Sequence, residues 1–209
     1  GTKGKREVLL HMIKAIIFDW FGVCTEDFRT VLARKLHKKL NVSKKEIIKS
    51  YVKYELPLTL KKIDSRNVLL GMFGEFNIDK RVDGYLHIFK DKPKLNNGIF
   101  KLAKKLKNKY STFLLSDNFE DMTNTIRRKI RLNDYFDFVV FSNEIKLVKR
   151  KDKIYKVAIK KLGCKPSECV LIDDKKENIK KVKRLGMNGI LFKNTSQMKR
   201  DLMEFNVKF

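Results

Sequence analysis

Ala15-Ile16-Ile17-Phe18-Asp19-Trp20-Phe21-Gly22-Val23 is the stretch on which the fold turns. Four apolar residues run without interruption, end on a carboxylate, and reach a glycine three residues later. An unbroken apolar run of that length suits a strand buried on both faces, and such strands belong to parallel sheets. Four more runs of the same kind follow: Thr112-Phe113-Leu114-Leu115, Phe138-Val139-Val140-Phe141, Cys169-Val170-Leu171-Ile172 and Gly189-Ile190-Leu191-Phe192. The intervening segments 99–107, 154–162, 179–185 and 198–205 carry apolar residues at helical spacing. The alternation predicts an α/β fold, a doubly wound parallel sheet covered by helices.

Residues 25–92 break the alternation, with helical patterns and no strand candidate. Phe28, Val31, Leu32 and Leu36 mark one helix, and Val68, Leu69, Met72 and Phe73 another. Between them Ser43-Lys44-Lys45-Glu46 is a capping box that opens a helix bearing Ile47, Ile48, Tyr51 and Val52. The expected organisation is a core of residues 12–24 and 93–209 with residues 25–92 inserted as a helical cap. Open α/β sheets bind ligands beyond the carboxyl ends of their strands, which is where this insertion departs. The competing reading sets these helices beside the sheet as an extension of the core. Residues 1–11 read as an expression-vector leader, because His11-Met12 matches a common cloning site, so the natural start is expected at Met12.

The chain has 209 residues, 43% of them hydrophobic and 15 of those Phe, enough for one substantial core plus an insertion. Three cysteines, Cys24, Cys164 and Cys169, follow no metal-ligand spacing and lack the density of a disulfide scaffold. No apolar run approaches the roughly 18 residues of a membrane helix, so the expectation is a soluble protein of the cytoplasm, not a membrane protein. The net charge of +25 attracts anions: anionic small molecules fit, and nucleic acid also fits. Lysines are nevertheless scattered over nearly every predicted helix, including Lys104, Lys105, Lys160, Lys161, Lys180 and Lys181, which favours solvated faces over a nucleic-acid groove.

Three polar clusters stand at the carboxyl ends of three predicted strands: Asp19, Ser116-Asp117-Asn118 and Asp173-Asp174. In a parallel sheet those ends converge. A single Asp there would pass as a turn or helix-cap residue. Clustered carboxylates repel one another, and a hard cation with oxygen ligands such as Mg²⁺ relieves that repulsion while leaving a place for a phosphate oxygen.

Ile16 to Val23 resembles the first motif of the haloacid dehalogenase superfamily, and Leu114-Leu115-Ser116 resembles the second. Lys149 falls where the third-motif lysine is expected, with Lys146 and Lys151 close by. Val170-Leu171-Ile172-Asp173-Asp174 followed by Glu177-Asn178 resembles the fourth. The resemblance implies a phosphatase-like hydrolase acting on a small phosphorylated molecule, with Asp19 as nucleophile forming an aspartyl-phosphate. It implies Mg²⁺ held by Asp19, the backbone carbonyl of Phe21, Asp173 and Asp174. It further implies that Ser116 and Lys149 act in catalysis and that Ser116, Asp117, Asn118 and Lys149 bind substrate.

Phosphatases of this superfamily usually carry a second Asp two residues after the nucleophile, as general acid and base, whereas here that place holds Phe21. Glu26, Asp27, a cap residue or water would have to substitute, or leaving groups that depart unprotonated would be preferred: acyl, aryl or sugar 1-phosphates. An aromatic residue at that position also resembles the dehalogenase branch, a 2-haloacid dehalogenase-like reading that the Asp173-Asp174 pair opposes. A third reading is a non-catalytic module that binds phosphorylated ligands or RNA.

Overall fold

The computed structural model describes residues 12–79 and 81–209; the leader expected over residues 1–11 lies outside them. Five strands, β1 (Ala15–Phe18), β2 (Ser111–Ser116), β3 (Phe138–Phe141), β4 (Cys169–Asp173) and β5 (Asn188–Leu191), form one sheet in the order β3-β2-β1-β4-β5. Every pairing is parallel. β1 lies at the centre, with Phe18 level with Leu114 on one side and Ile172 on the other. That register brings Asp19, Ser116 and Asp173 to one edge of the sheet.

The unbroken apolar runs have their cause in burial from both sides. Ile16, Phe18, Leu114, Val170 and Ile172 point into one cluster. Ala15, Ile17, Phe113, Leu115 and Leu171 point into another. Helices α5 (Asn97–Leu106), α6 (Glu120–Lys129) and α10 (Thr195–Glu204) cover the first face, and α8 (Asp152–Leu162) and α9 (Lys176–Arg184) cover the second. A single turn, α7 (Ser142–Ile145), follows β3.

Between β1 and α5 come α1 (Phe28–Leu40), α2 (Lys44–Thr59), α3 (Ser65–Glu75) and the short α4 (His87–Lys90). The predicted capping box is present at α2: the Ser43 side chain accepts from the Glu46 amide, and the Glu46 carboxylate accepts from the Ser43 amide. Asp27 caps α1 by accepting from the Thr30 amide. Apolar residues of these helices join the same cluster as the first face of the sheet, among them Leu32, Leu36, Ile47, Tyr51, Val68 and Phe89. Among the described residues no helix is long and apolar enough to cross a membrane. Lys104, Lys105, Lys160, Lys161 and Lys180 are exposed, as solvated helix faces require, and Lys181 is half-buried, donating to the Arg150 carbonyl.

Candidate active site

The central strand ends on Asp19, 5% exposed at the floor of a cleft of about 400 Å³. Its Oδ1 accepts from the Trp20 amide at 2.7 Å and from Lys149 Nζ at 2.7 Å. Among the described residues nothing hydrogen-bonds its Oδ2. Lys149 is 2% exposed and also reaches Asp173 Oδ2 at 2.7 Å, so one buried ammonium ties the ends of β1 and β4 together. Of the three neighbouring lysines it is therefore Lys149 that enters the site. Lys146 sits at the C-cap of α7 in the left-handed region (φ 54°), and Lys151 precedes α8; both are exposed.

Asp173 is satisfied on every side. Besides Lys149, it accepts from the Lys175 amide at 2.9 Å and from Asn178 Nδ2 at 3.0 Å to each oxygen. Asp174 is its opposite: Oδ1 is buried without a partner. Gly22 makes room for that carboxylate, since a Cβ at position 22 would lie 2.3 Å from Asp174 Oδ2. Asp19, Asp173 and Asp174 offer ligand oxygens that all lie within 4.8 Å of one another.

The electrostatics follow from that crowding. Burial and the neighbouring Asp173 push the Asp19 carboxyl up to about 8, against the pull of Lys149. Burial works against the Lys149 charge, but Asp173 and Asp19 outweigh it and hold the ammonium well above its ordinary range. Asp173 is likewise opposed by burial and still held below the usual carboxylate range by Lys149, Asn178 and the Lys175 amide. Asp174 is pushed up by burial and by Asp173. One ammonium leaves three carboxylates two charges short of neutrality, the deficit a divalent cation makes good. The unpartnered Asp174 oxygen, the all-oxygen donor set and the charge deficit fit Mg²⁺.

At the end of β2, Ser116 is fully buried and its Oγ has no partner; Asn118 is fully buried too, with Oδ1 accepting from the Phe119 amide at 2.9 Å and Nδ2 unpartnered. Two orphaned donors beside the Asp19 cleft are what an incoming anion would satisfy. Asp117, expected among the substrate-binding residues, lines the cleft and is also engaged with protein. Its Oδ1 accepts from Ser142 Oγ and from the Lys149 amide at 2.9 Å, which ties it to the loop that delivers Lys149. Nothing in the sequence marked that contact; Asn178 stood in the fourth-motif stretch, but its bonds to Asp173 were not legible there.

Phe21 is half-buried in an aromatic group: its ring lies 5.8 Å from Phe28 and stacks 6.4 Å from Phe119, and Phe28 packs 5.6 Å from Tyr51. All four rings line the cleft, as do Arg29 and Glu55, whose guanidinium and carboxylate pair at 3.0 and 2.5 Å. Glu26, a candidate replacement acid, is bound by Arg34, which holds its carboxyl below the usual range.

The profile of the haloacid dehalogenase-like hydrolase family matches residues 13–186. Bifunctional epoxide hydrolase 2 of Sus scrofa is 32% identical over 124 residues, covering 56% of this chain and 22% of that protein. The chain spans about a fifth of the length of the curated relatives it matches first. A predicted HAD-like family hydrolase from Porphyromonas gingivalis superposes with a TM-score of 0.73 at 19% identity, covering 95% of this chain and all of the other. A HAD family enzyme from Bacteroides thetaiotaomicron, in complex with magnesium and inorganic phosphate, superposes with a TM-score of 0.66 at 21% identity, covering 87% and 94%. These structural likenesses concern the fold.

Proposed function

The chain belongs to the haloacid dehalogenase-like hydrolase family, and from that premise we propose that it is a Mg²⁺-dependent phosphatase of small phosphorylated molecules working through an aspartyl-phosphate on Asp19. The observation that carries this reading is the buried cluster at the end of the central strand: Asp19 with a free Oδ2, tied through Lys149 to an acidic pair that still has an unpartnered oxygen.

In this reading Asp19 Oδ2 attacks phosphorus. Ser116 Oγ and Asn118 Nδ2, both without partners, donate to the phosphoryl oxygens. Lys149 balances charge on the nucleophile and on the transferring group, and Asp117 positions Lys149 from behind rather than touching substrate. Asp19, Asp173, Asp174 and the Phe21 carbonyl would hold Mg²⁺, which supplies charge neutralisation to the phosphate. Most of the rate then comes from placement and electrostatics, as phosphoryl transfer generally demands. Residues 25–92 act as a cap, since α1 and α2 contribute Phe28, Arg29, Tyr51 and Glu55 to the walls of the cleft that has Asp19 at its floor. Displacement at a carbon–halogen bond needs no cation and would leave the Asp174 oxygen without a use, which favours phosphoryl chemistry.

Replacing Asp19 with Asn tests the reading. The amide is a very poor nucleophile. Mg²⁺-dependent phosphate release is expected to vanish, and so is the mass gain of one phosphoryl group seen when the parent protein is quenched during turnover of acetyl phosphate. Release at the parent rate by Asp19→Asn would remove the mechanism.

A further inference from the structure

Every carboxylate in the cleft other than the nucleophile has a position that bears on proton donation. Asp27 accepts from the Thr30 amide and hydroxyl as the cap of α1. Glu55 is gripped by Arg29 through both oxygens, and Asp117 by Ser142 and the Lys149 amide. The oxygens of Glu55 and Asp117 are thus filled by protein donors, while Asp27 keeps its Oδ1. Glu26, on the other side of Phe21, is closed off by Arg34. No histidine lines the cleft. What remains are Asp27 Oδ1 and, where α9 begins, Glu177 and Lys175. The place beside the nucleophile where a proton donor would stand is filled by a phenyl ring.

That ring belongs to a wall. Phe21 is half-buried and offers its ring to the cleft, backed by the buried Phe28, Tyr51 and Phe119, with centroid separations between 4.8 and 6.4 Å for the pairs Phe28–Phe119, Phe28–Tyr51, Phe21–Phe28 and Phe21–Phe119. Such a wall takes a planar ring by offset or edge-on contact. The two observations converge on one class of leaving group: one that departs without a proton and is flat.

We propose, on the basis of the phosphatase reading above, that the substrate is a small aryl phosphate, its ring lying against Phe21. The bond from Asp19 Oδ2 to phosphorus forms as the phosphorus–oxygen bond to the ring breaks. The electron pair leaves on the phenolate oxygen, which takes its proton from water afterwards. A water molecule then cleaves the aspartyl-phosphate, giving inorganic phosphate, restoring the carboxylate and releasing a proton to solvent. Acyl phosphates also leave unprotonated, but small ones gain nothing from the wall.

The test is a series of p-nitrophenyl, phenyl and propyl phosphates together with acetyl phosphate, run with the full chain and Mg²⁺. The quantity to read is kcat/KM, because it covers the steps up to phosphoryl transfer and is not masked by slow cleavage of the aspartyl-phosphate. Expected is a steep fall with rising leaving-group pKa, placing propyl phosphate about 10²- to 10⁴-fold below the aryl esters, the usual size of a general-acid contribution. Phe21→Leu, which keeps the site apolar, is expected to lower kcat/KM for phenyl phosphate relative to acetyl phosphate by roughly 2- to 10-fold, the worth of one aromatic contact. A flat dependence on leaving-group pKa would place a donor at Asp27, Glu177 or Lys175 and overturn the proposal. So would an unchanged phenyl-to-acetyl ratio in Phe21→Leu, or a phosphorylated Asp19 formed from acetyl phosphate with no aryl turnover. If no phosphorylated Asp19 forms with any of the four, the phosphatase reading itself fails.

Discussion

Position 22 shows how closely the site is fitted at the scale of single residues. Gly22 has φ 84°, a region L side chains avoid, and the space beside its Cα belongs to Asp174. Gly22→Ala therefore meets two penalties at once, backbone strain and a contact at 2.3 Å. The expected loss is about 1–3 kcal/mol of stability together with weakened Mg²⁺ binding, checked by urea unfolding and calorimetric titration. Asp19 gives a pH signature. Its folded pKa is raised to about 8, so the folded state holds the proton more tightly than the unfolded chain does. Stability from this group is full below the unfolded value of about 3.9 and is lost as pH rises toward about 8. In metal-free solution Asp19→Asn should thus gain stability over the parent between about pH 5 and pH 8, read as a widening gap in Tm. The carboxylates at the strand ends were visible in the sequence because a charge that terminates a buried apolar run has few structural uses. The partners of Asp173 were visible only in part: Asn178 stood in the fourth-motif stretch, but that it and the Lys175 amide close on Asp173 follows from where α9 starts.

At the scale of elements, periodicity worked where burial is made of aliphatic and aromatic side chains. All five strands lie where the apolar runs stand, with bounds shifted by about one residue at β2, β4 and β5. Helix α6 escaped because its buried face uses Thr123 and Thr125 beside Met122 and Ile126, leaving too thin an apolar stripe to read. Strand order was equally invisible, since each run is apolar throughout and none carries a mark of its neighbour. The capping box at α2 was legible because it is a local exchange of two hydrogen bonds. Ser43→Ala should cost about 1 kcal/mol in chemical unfolding and leave kcat/KM unchanged, because the lost bond lies at the far end of the helix from Tyr51 and Glu55. A larger cost would mean that the start of α2 supports more than its own first turn.

For the whole molecule, the proposed Mg²⁺ site would tie folding to the cation. Two buried carboxylates and the half-buried Asp174 share one ammonium. At a hundredfold excess over its dissociation constant, Mg²⁺ should add about 2.7 kcal/mol, or roughly 5 to 10 °C in Tm for a chain of this size, reversed by chelation. Thermal scans with Mg²⁺, with Ca²⁺ and with chelator check this, and no shift with either ion would argue against a cation at the cluster. The aromatic group has a different kind of consequence. Phe28 of α1 packs 4.8 Å from Phe119, which opens α6, and 5.2 Å from Phe89 of α4, so the helices of residues 25–92 and the sheet share one continuous interior. A protein engineer who transplanted another set of helices onto this sheet would strip Phe119 of its contacts with Phe28 and Phe89. The helices and the sheet would have to be redesigned as a pair, and natural drift in one would have to be answered in the other.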